Sequence, residues 1–159
     1  MTLNKIKTLK EERGFTIVEL LIVIVIIAIL AAIVIVAYNG VQNRAKTSAG
    51  QSTANSIVKK FEALNAVKGA YYSSGAGVTA AQINTYATAA PTVAEANIDN
   101  TASVIAATAA TTSGLTASTA NNGNTVSVWA CAAGANIWYW DFAAGTPAAV
   151  QVKAGAGCP

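Results

Sequence analysis

Histidine is absent from all 159 residues of the chain. That removes the most frequent general base and the commonest metal ligand, and it weakens any catalytic-triad or zinc reading. Charge is scarce too: 11% of residues are Asp, Glu, Lys or Arg, and Asp141 is the sole carboxylate after Asp99. One carboxylate is too few for a calcium loop, which draws on several oxygen donors. We therefore expect no catalytic residues, no metal, no cofactor and no enzyme activity. The only cysteines, Cys131 and Cys158, stand late in the chain. An exported chain would be expected to join them, two unrelated thiols being the alternative.

What charge there is sits unevenly. Lys5, Lys7, Lys10 and Arg13 against Glu11 and Glu12 give the first fourteen residues most of the formal net charge of +3. The remainder is nearly neutral and has no strong electrostatic footprint for nucleic acid.

Long apolar runs, by contrast, are present. Leu20 to Ala37 is an unbroken stretch of 18 apolar residues, a helix of about 27 Å, long enough to cross a bilayer. The basic leader would remain cytoplasmic, placing the C-terminal domain outside. A secretory signal has a shorter apolar core, of about 7 to 15 residues. Glu19 lies at the front of the run, where a charge costs several kcal/mol on insertion scales and calls for a partner. That partner is expected outside this chain; a plain membrane anchor would leave Glu19 unexplained.

Beyond Ala37, Val41, Ala45, Ala54, Ile57, Val58, Phe61 and Leu64 recur at spacings near three and four, which predicts an amphipathic helix. Gly69 supplies its end, Lys59 and Glu62 can meet on its wet side, and Lys59, Lys60 and Lys68 read as a solvated face. One long helix from about Thr16 to Lys68 follows, with a bend expected at Asn39-Gly40 and no termination. From Ala70 the chain is rich in Ala, Thr and Ser, with a short helix expected over Thr79–Thr88 and a strand over Ala102–Ala107. The runs Thr125–Ala132, Asn136–Phe142 and Ala148–Lys153, with turns at Gly134 and Gly145, predict an antiparallel meander. Val126, Val128 and Ala130 share one face; Ser127, Trp129 and Cys131 share the other, and Trp138, Trp140 and Phe142 also alternate together. One face should cover the helix. The aromatic set of Trp129, Trp138, Tyr139, Trp140 and Phe142 reads as packing, ahead of a carbohydrate-binding or electron-conducting role, with Tyr139 the ring expected to be exposed.

A basic leader ending in Gly14, then Phe15 and Thr16, with Glu19 fifth from Phe15 and an unbroken apolar run behind it, resembles the processing signature of type IV pilins, the subunits of bacterial surface fibres. In detail the resemblance covers about 40 residues, and in architecture the whole chain. It implies an α+β pilin-like fold: a leader (residues 1–14) that is removed, a transmembrane and assembly helix (15–37), an amphipathic second half (38–69), a variable connecting region (70–124), and an antiparallel sheet with a disulfide-closed C-terminal loop (125–159). It implies cleavage between Gly14 and Phe15 by a membrane-embedded aspartic prepilin peptidase and methylation of the new Phe15 amine. Glu19 of one copy would then meet Phe15 of the next, a buried pair that sets register more than it adds stability. Cys131 and Cys158 match the paired cysteines that staple the C-terminal loop, worth roughly 3 to 4 kcal/mol on the chain-entropy model.

The implied partners are further copies of the chain, the peptidase, an assembly ATPase, an inner-membrane platform, the membrane before assembly, and a host surface or DNA afterwards. Localisation would pass from single-pass membrane precursor to extracellular fibre, used for adhesion, twitching motility or DNA uptake. Many members carry a glycine and a proline within the apolar helix where this chain has Ala28 and Val36, so any loosening is expected nearer Asn39-Gly40. A pseudopilin of a type II secretion system, a minor pilin, and a membrane-anchored extracellular binding domain stay open as alternatives. DNA binding through Arg44, Lys46, Lys59 and Lys60 is weak, because fibre packing would largely bury that helix.

Overall fold

The computed structural model describes residues 14–120, 123–144 and 148–159. The leader up to Arg13 and the turn expected at Gly145 lie outside the described residues. The chain divides into two compact units between Asn39 and Gly40, and one helix, α1 (Ile17–Lys68), contributes to both. Its backbone stays helical through Ala28, Val36, Asn39 and Gly40.

In the first unit α1 is apolar all round and buries nothing: its best 18-residue window has a mean hydropathy of 3.7 with 0% of it buried. By length and composition it can cross a membrane.

In the second unit α1 turns amphipathic. Gly50, Ala54, Ile57, Phe61 and Leu64 form its buried stripe at steps of three or four. Val41 and Ala45, predicted for that stripe, are exposed. The helix ends where Gly69 adopts a φ of +72° and donates its N–H to the Asn65 carbonyl at 2.8 Å, the left-handed cap that glycine adopts without a Cβ penalty.

The buried stripe packs on Val126, Val128 and Ala130 of β3 (Val126–Cys131) and on Ala135, Ile137 and Tyr139 of β4 (Gly134–Asp141). Burying side chains such as Ile57, Phe61 and Leu64 stabilises by about 1.5–3 kcal/mol each. With β5 (Ala148–Gly155) these strands make the expected antiparallel meander. The far edge of β3 is shared by two short strands, β1 (Ala76–Gly77), antiparallel to it, and β2 (Val104–Ala106), parallel to it. A helix α2 (Ala80–Thr88) lies where one was expected, with Thr79 and Gln82 forming a capping box at its start.

Several expectations need correction. The β3–β4 turn is Ala132–Ala133, and Gly134 is already paired with Cys131. Its φ is +147°, and a Cβ there would lie 2.0 Å from the Ala154 carbonyl oxygen. Tyr139 is only 8% exposed and faces the helix, where a Cβ on Gly50 would stand 3.3 Å from the Tyr139 Cβ. Strand parity explains this: Trp138 and Trp140 alternate to the opposite face, and there they cluster with Trp129, Phe142, Leu115 and Ala120. The aromatic set is packing, as expected, but it is divided between the two faces.

Lys60 and Lys68 are more than solvated charges. Lys60 Nζ donates to the carbonyls of Glu95 and Asn97, and Lys68 Nζ donates to the Ala89 carbonyl at the end of α2 while sitting 4.7 Å from the Tyr86 ring centre. Glu62 does not serve Lys59. It accepts the Tyr71 hydroxyl and the Gly155 N–H, both at 2.8 Å. The neighbouring Glu62 carboxylate raises Tyr71 above its ordinary pKa.

Candidate assembly site at the start of the helix

Gly14, Phe15 and Thr16 precede α1 in extended or irregular backbone. Thr16 is the N-cap and Glu19 the third helical residue. The Glu19 Oε2 accepts the Thr16 backbone N–H at 2.9 Å and the Thr16 hydroxyl at 2.8 Å, and the Glu19 N–H donates back to the Thr16 hydroxyl oxygen at 3.2 Å. This reciprocal arrangement is a capping box, which satisfies donors that the helix itself leaves orphaned. A carboxylate in the first turn also sits favourably at the positive end of the helix dipole.

The carboxylate therefore has neutral hydrogen-bond partners in its own chain, which the reading of the sequence did not include. The signal was in the sequence: Thr16 and Glu19 are spaced as Thr-x-x-Glu immediately before an apolar run. Both Thr16 donors converge on Oε2. Phe15, directly before the cap, is 91% exposed. Around Gly14 a Cβ would meet nothing within 4 Å, so the described part of the chain has no packing need for a glycine there.

At the other end, Cys131 and Cys158 form a disulfide with Cα atoms 5.8 Å apart. Beside it lies a residue that sequence reasoning missed, Asn136, 1% exposed. Its amide nitrogen donates to the carbonyls of Ala110 and Cys158 at 2.8 and 2.9 Å, and its Oδ1 accepts the Cys158 N–H at 2.9 Å. No periodicity marks such a residue, because a lone Asn in a strand pattern reads as a surface position.

The β4 end is fastened to the helix by Thr47. Its hydroxyl donates to Asp141 Oδ1 at 2.8 Å and accepts the Phe142 N–H at 2.9 Å. The Thr47 hydroxyl, then the Ala143 N–H, hold the Asp141 carboxyl below its ordinary pKa. Lys46, named with Arg44 in the weak DNA-binding alternative, places its Nζ 5.6 Å from the centre of the Phe142 ring; Arg44 is exposed.

A bilayer-length apolar helix opening on a capped carboxylate, in a chain that ends in a disulfide-stapled sheet, fits a membrane-anchored precursor of a surface fibre. Residues 9–35 match the prokaryotic N-terminal methylation motif, the signature of type IV pilins and their precursors. That match spans Gly14, Phe15, Thr16 and Glu19 together. No curated protein and no solved structure gives a significant match to the chain.

Proposed function

We propose that the chain is a type IV prepilin whose mature form is the structural, non-catalytic subunit of a type IV pilus. A prepilin peptidase hydrolyses the bond between Gly14 and Phe15 on the cytoplasmic side, and the freed amine of Phe15 is methylated. The apolar helix then leaves the bilayer for the core of a helical polymer, driven by an assembly ATPase and an inner-membrane platform. Glu19 of one copy neutralises the Phe15 amine of the next. The fibre serves adhesion, twitching motility or DNA uptake.

The observation that carries this reading is the coincidence of the methylation motif with the capped Glu19 and the open space around Gly14. A glycine that the packing of the described residues does not need has value to an enzyme that must bring the backbone close to its catalytic groups. Two charges that meet at assembly cost less together than apart, so the Glu19–Phe15 pair favours one register over others.

Mass spectrometry of the N-terminus of surface-sheared material tests it. The expected terminus is N-methylated Phe15. A surface protein that retains Met1, or begins elsewhere, overturns the proposal.

A further inference from the structure

Half of the charged side chains in the unit Gly40–Pro159 are already engaged within it. Lys60 and Lys68 hold carbonyls, Glu62 holds Tyr71 and Gly155, Thr47 holds Asp141, and Lys46 faces Phe142. The exposed charges that make none of these contacts among the described residues are Arg44, Lys59 and Lys153 on the positive side, and Glu95 and Asp99 on the negative.

Lys59 occupies a particular surface. It is the lone charge on a shallow groove along α1 formed by Ser48, Gln51, Ser52, Asn55 and Ser56. At 100° per residue this face lies opposite the buried stripe of Gly50, Ala54, Ile57, Phe61 and Leu64. Short side chains there let another surface approach closely. Glu95 and Asp99, in turn, project from a fixed backbone. Lys60 holds the carbonyls of Glu95 and Asn97, and Asn84 brackets Ile98 by accepting its N–H and donating to its carbonyl, at 2.6 and 2.9 Å. The acidic pair is thus presented without the ordering cost of a mobile loop.

We propose that in the polymer the Lys59 groove of one copy receives the Glu95–Asp99 segment of a second copy. The proposal rests on the reading of the chain as a pilus subunit. The contact joins two different patches, so it is heterologous and propagates into an open helical polymer, as a closed two-fold contact would not. Arg44 stands about 22 Å along the helix from Lys59, too far to share one acidic pair. The apolar helix supplies most of the affinity, and the charge pairing suppresses wrong registers.

Charge reversal in full-length chains tests it, in cells that cut the wild-type chain after Gly14 and carry a pilus assembly machinery. Lys59→Glu alone, and Glu95→Lys with Asp99→Lys, are each expected to lower the sheared fibre yield about tenfold or more, because like charges then face each other. Co-expression of these two chains should restore assembly as an alternating copolymer. Rescue only when all three changes sit in one chain would place the pairing within a copy and overturn the proposal. So would single variants that assemble like wild type. A wild-type chain that is cut at Gly14 and never polymerises would overturn the pilus reading itself.

Discussion

Thr16 gives both its backbone N–H and its hydroxyl to the same oxygen of Glu19, at 2.9 and 2.8 Å. The acid that looked stranded at the front of an apolar span is therefore held in one orientation by its own N-cap, three residues away. Loss of a Thr N-cap side chain costs about 0.5–2 kcal/mol. Thr16→Val, which keeps the shape and loses the hydroxyl, should fray the first turn and lower fibre yield, while Thr16→Ser should retain both. Amide exchange of Leu20, whose N–H bonds the Thr16 carbonyl at 3.2 Å, reports the fraying; protection equal to wild type in Thr16→Val would count against the cap.

Glu19→Gln preserves size and keeps an acceptor for Thr16 while removing the charge. Processing does not need the charge under the proposed function, so cleavage after Gly14 should continue. Polymerisation should fall by about tenfold or more, because the Phe15 amine of the neighbouring copy is left buried without a counter-charge. Quantifying cut protein in membranes against sheared fibre separates the two steps. Equal fibre yield would remove Glu19 from assembly.

Asp141 supplies a pH dependence with a definite sign. Its pKa is depressed in the folded chain by the Thr47 hydroxyl and by the Ala143 N–H. A group of this kind contributes stability above the ordinary aspartate value of 3.8, and that contribution is lost as pH falls through the lower, folded value. Wild type should melt above Asp141→Ala near neutral pH, and the difference should shrink once pH drops below about 4. Melting curves of both proteins across that range are the check. A gap that widens on acidification contradicts the assignment.

Asn136 links the C-terminal tail to the segment that covers the aromatic cluster, through Cys158 and Ala110. Asn136→Leu keeps the volume and strands two buried polar groups of Cys158, at about 1–3 kcal/mol for each left unsatisfied, together with the part-buried Ala110 carbonyl. The loss should match or exceed that from removing the disulfide by Cys131→Ala with Cys158→Ala, which the chain-entropy account places near 3 to 4 kcal/mol. Denaturant unfolding of the two variants compares them directly, and a change below about 1 kcal/mol for Asn136→Leu would show that the tail is held by the disulfide alone.

The parts legible in the sequence were those set by periodicity over many residues. The helix from Ile17 to Lys68, its cap at Gly69, and the strands around Val126–Cys131 and Ala148–Gly155 lay within a residue or two of expectation. What escaped was decided by single contacts. Tyr139 reads as the odd ring among tryptophans, yet its parity matches Ile137 and Ala135, and Gly50 leaves room for it against the helix. Lys60 and Glu62 read as wet-face charges because nothing local announces that Asn97 and Gly155 fold back onto them. The short parallel strand Val104–Ala106 was placed roughly, but its partner was not foreseen, since pairing between distant segments leaves no local period.

The helix offers one more measurable distinction. Ala28 and Val36 are good enough helix formers that the backbone stays hydrogen-bonded across the apolar half, whereas Gly40 costs about 1 kcal/mol relative to alanine. The division between the two compact units also falls at Asn39 and Gly40. Amide exchange on assembled fibres should therefore show continuous protection from Ala28 to Val36 and a local minimum at Asn39–Gly40. Gly40→Ala should raise protection there and leave fibre yield within about twofold. Melted backbone between Ala28 and Val36 would mean that packing in the fibre, not local helix propensity, decides where this helix yields.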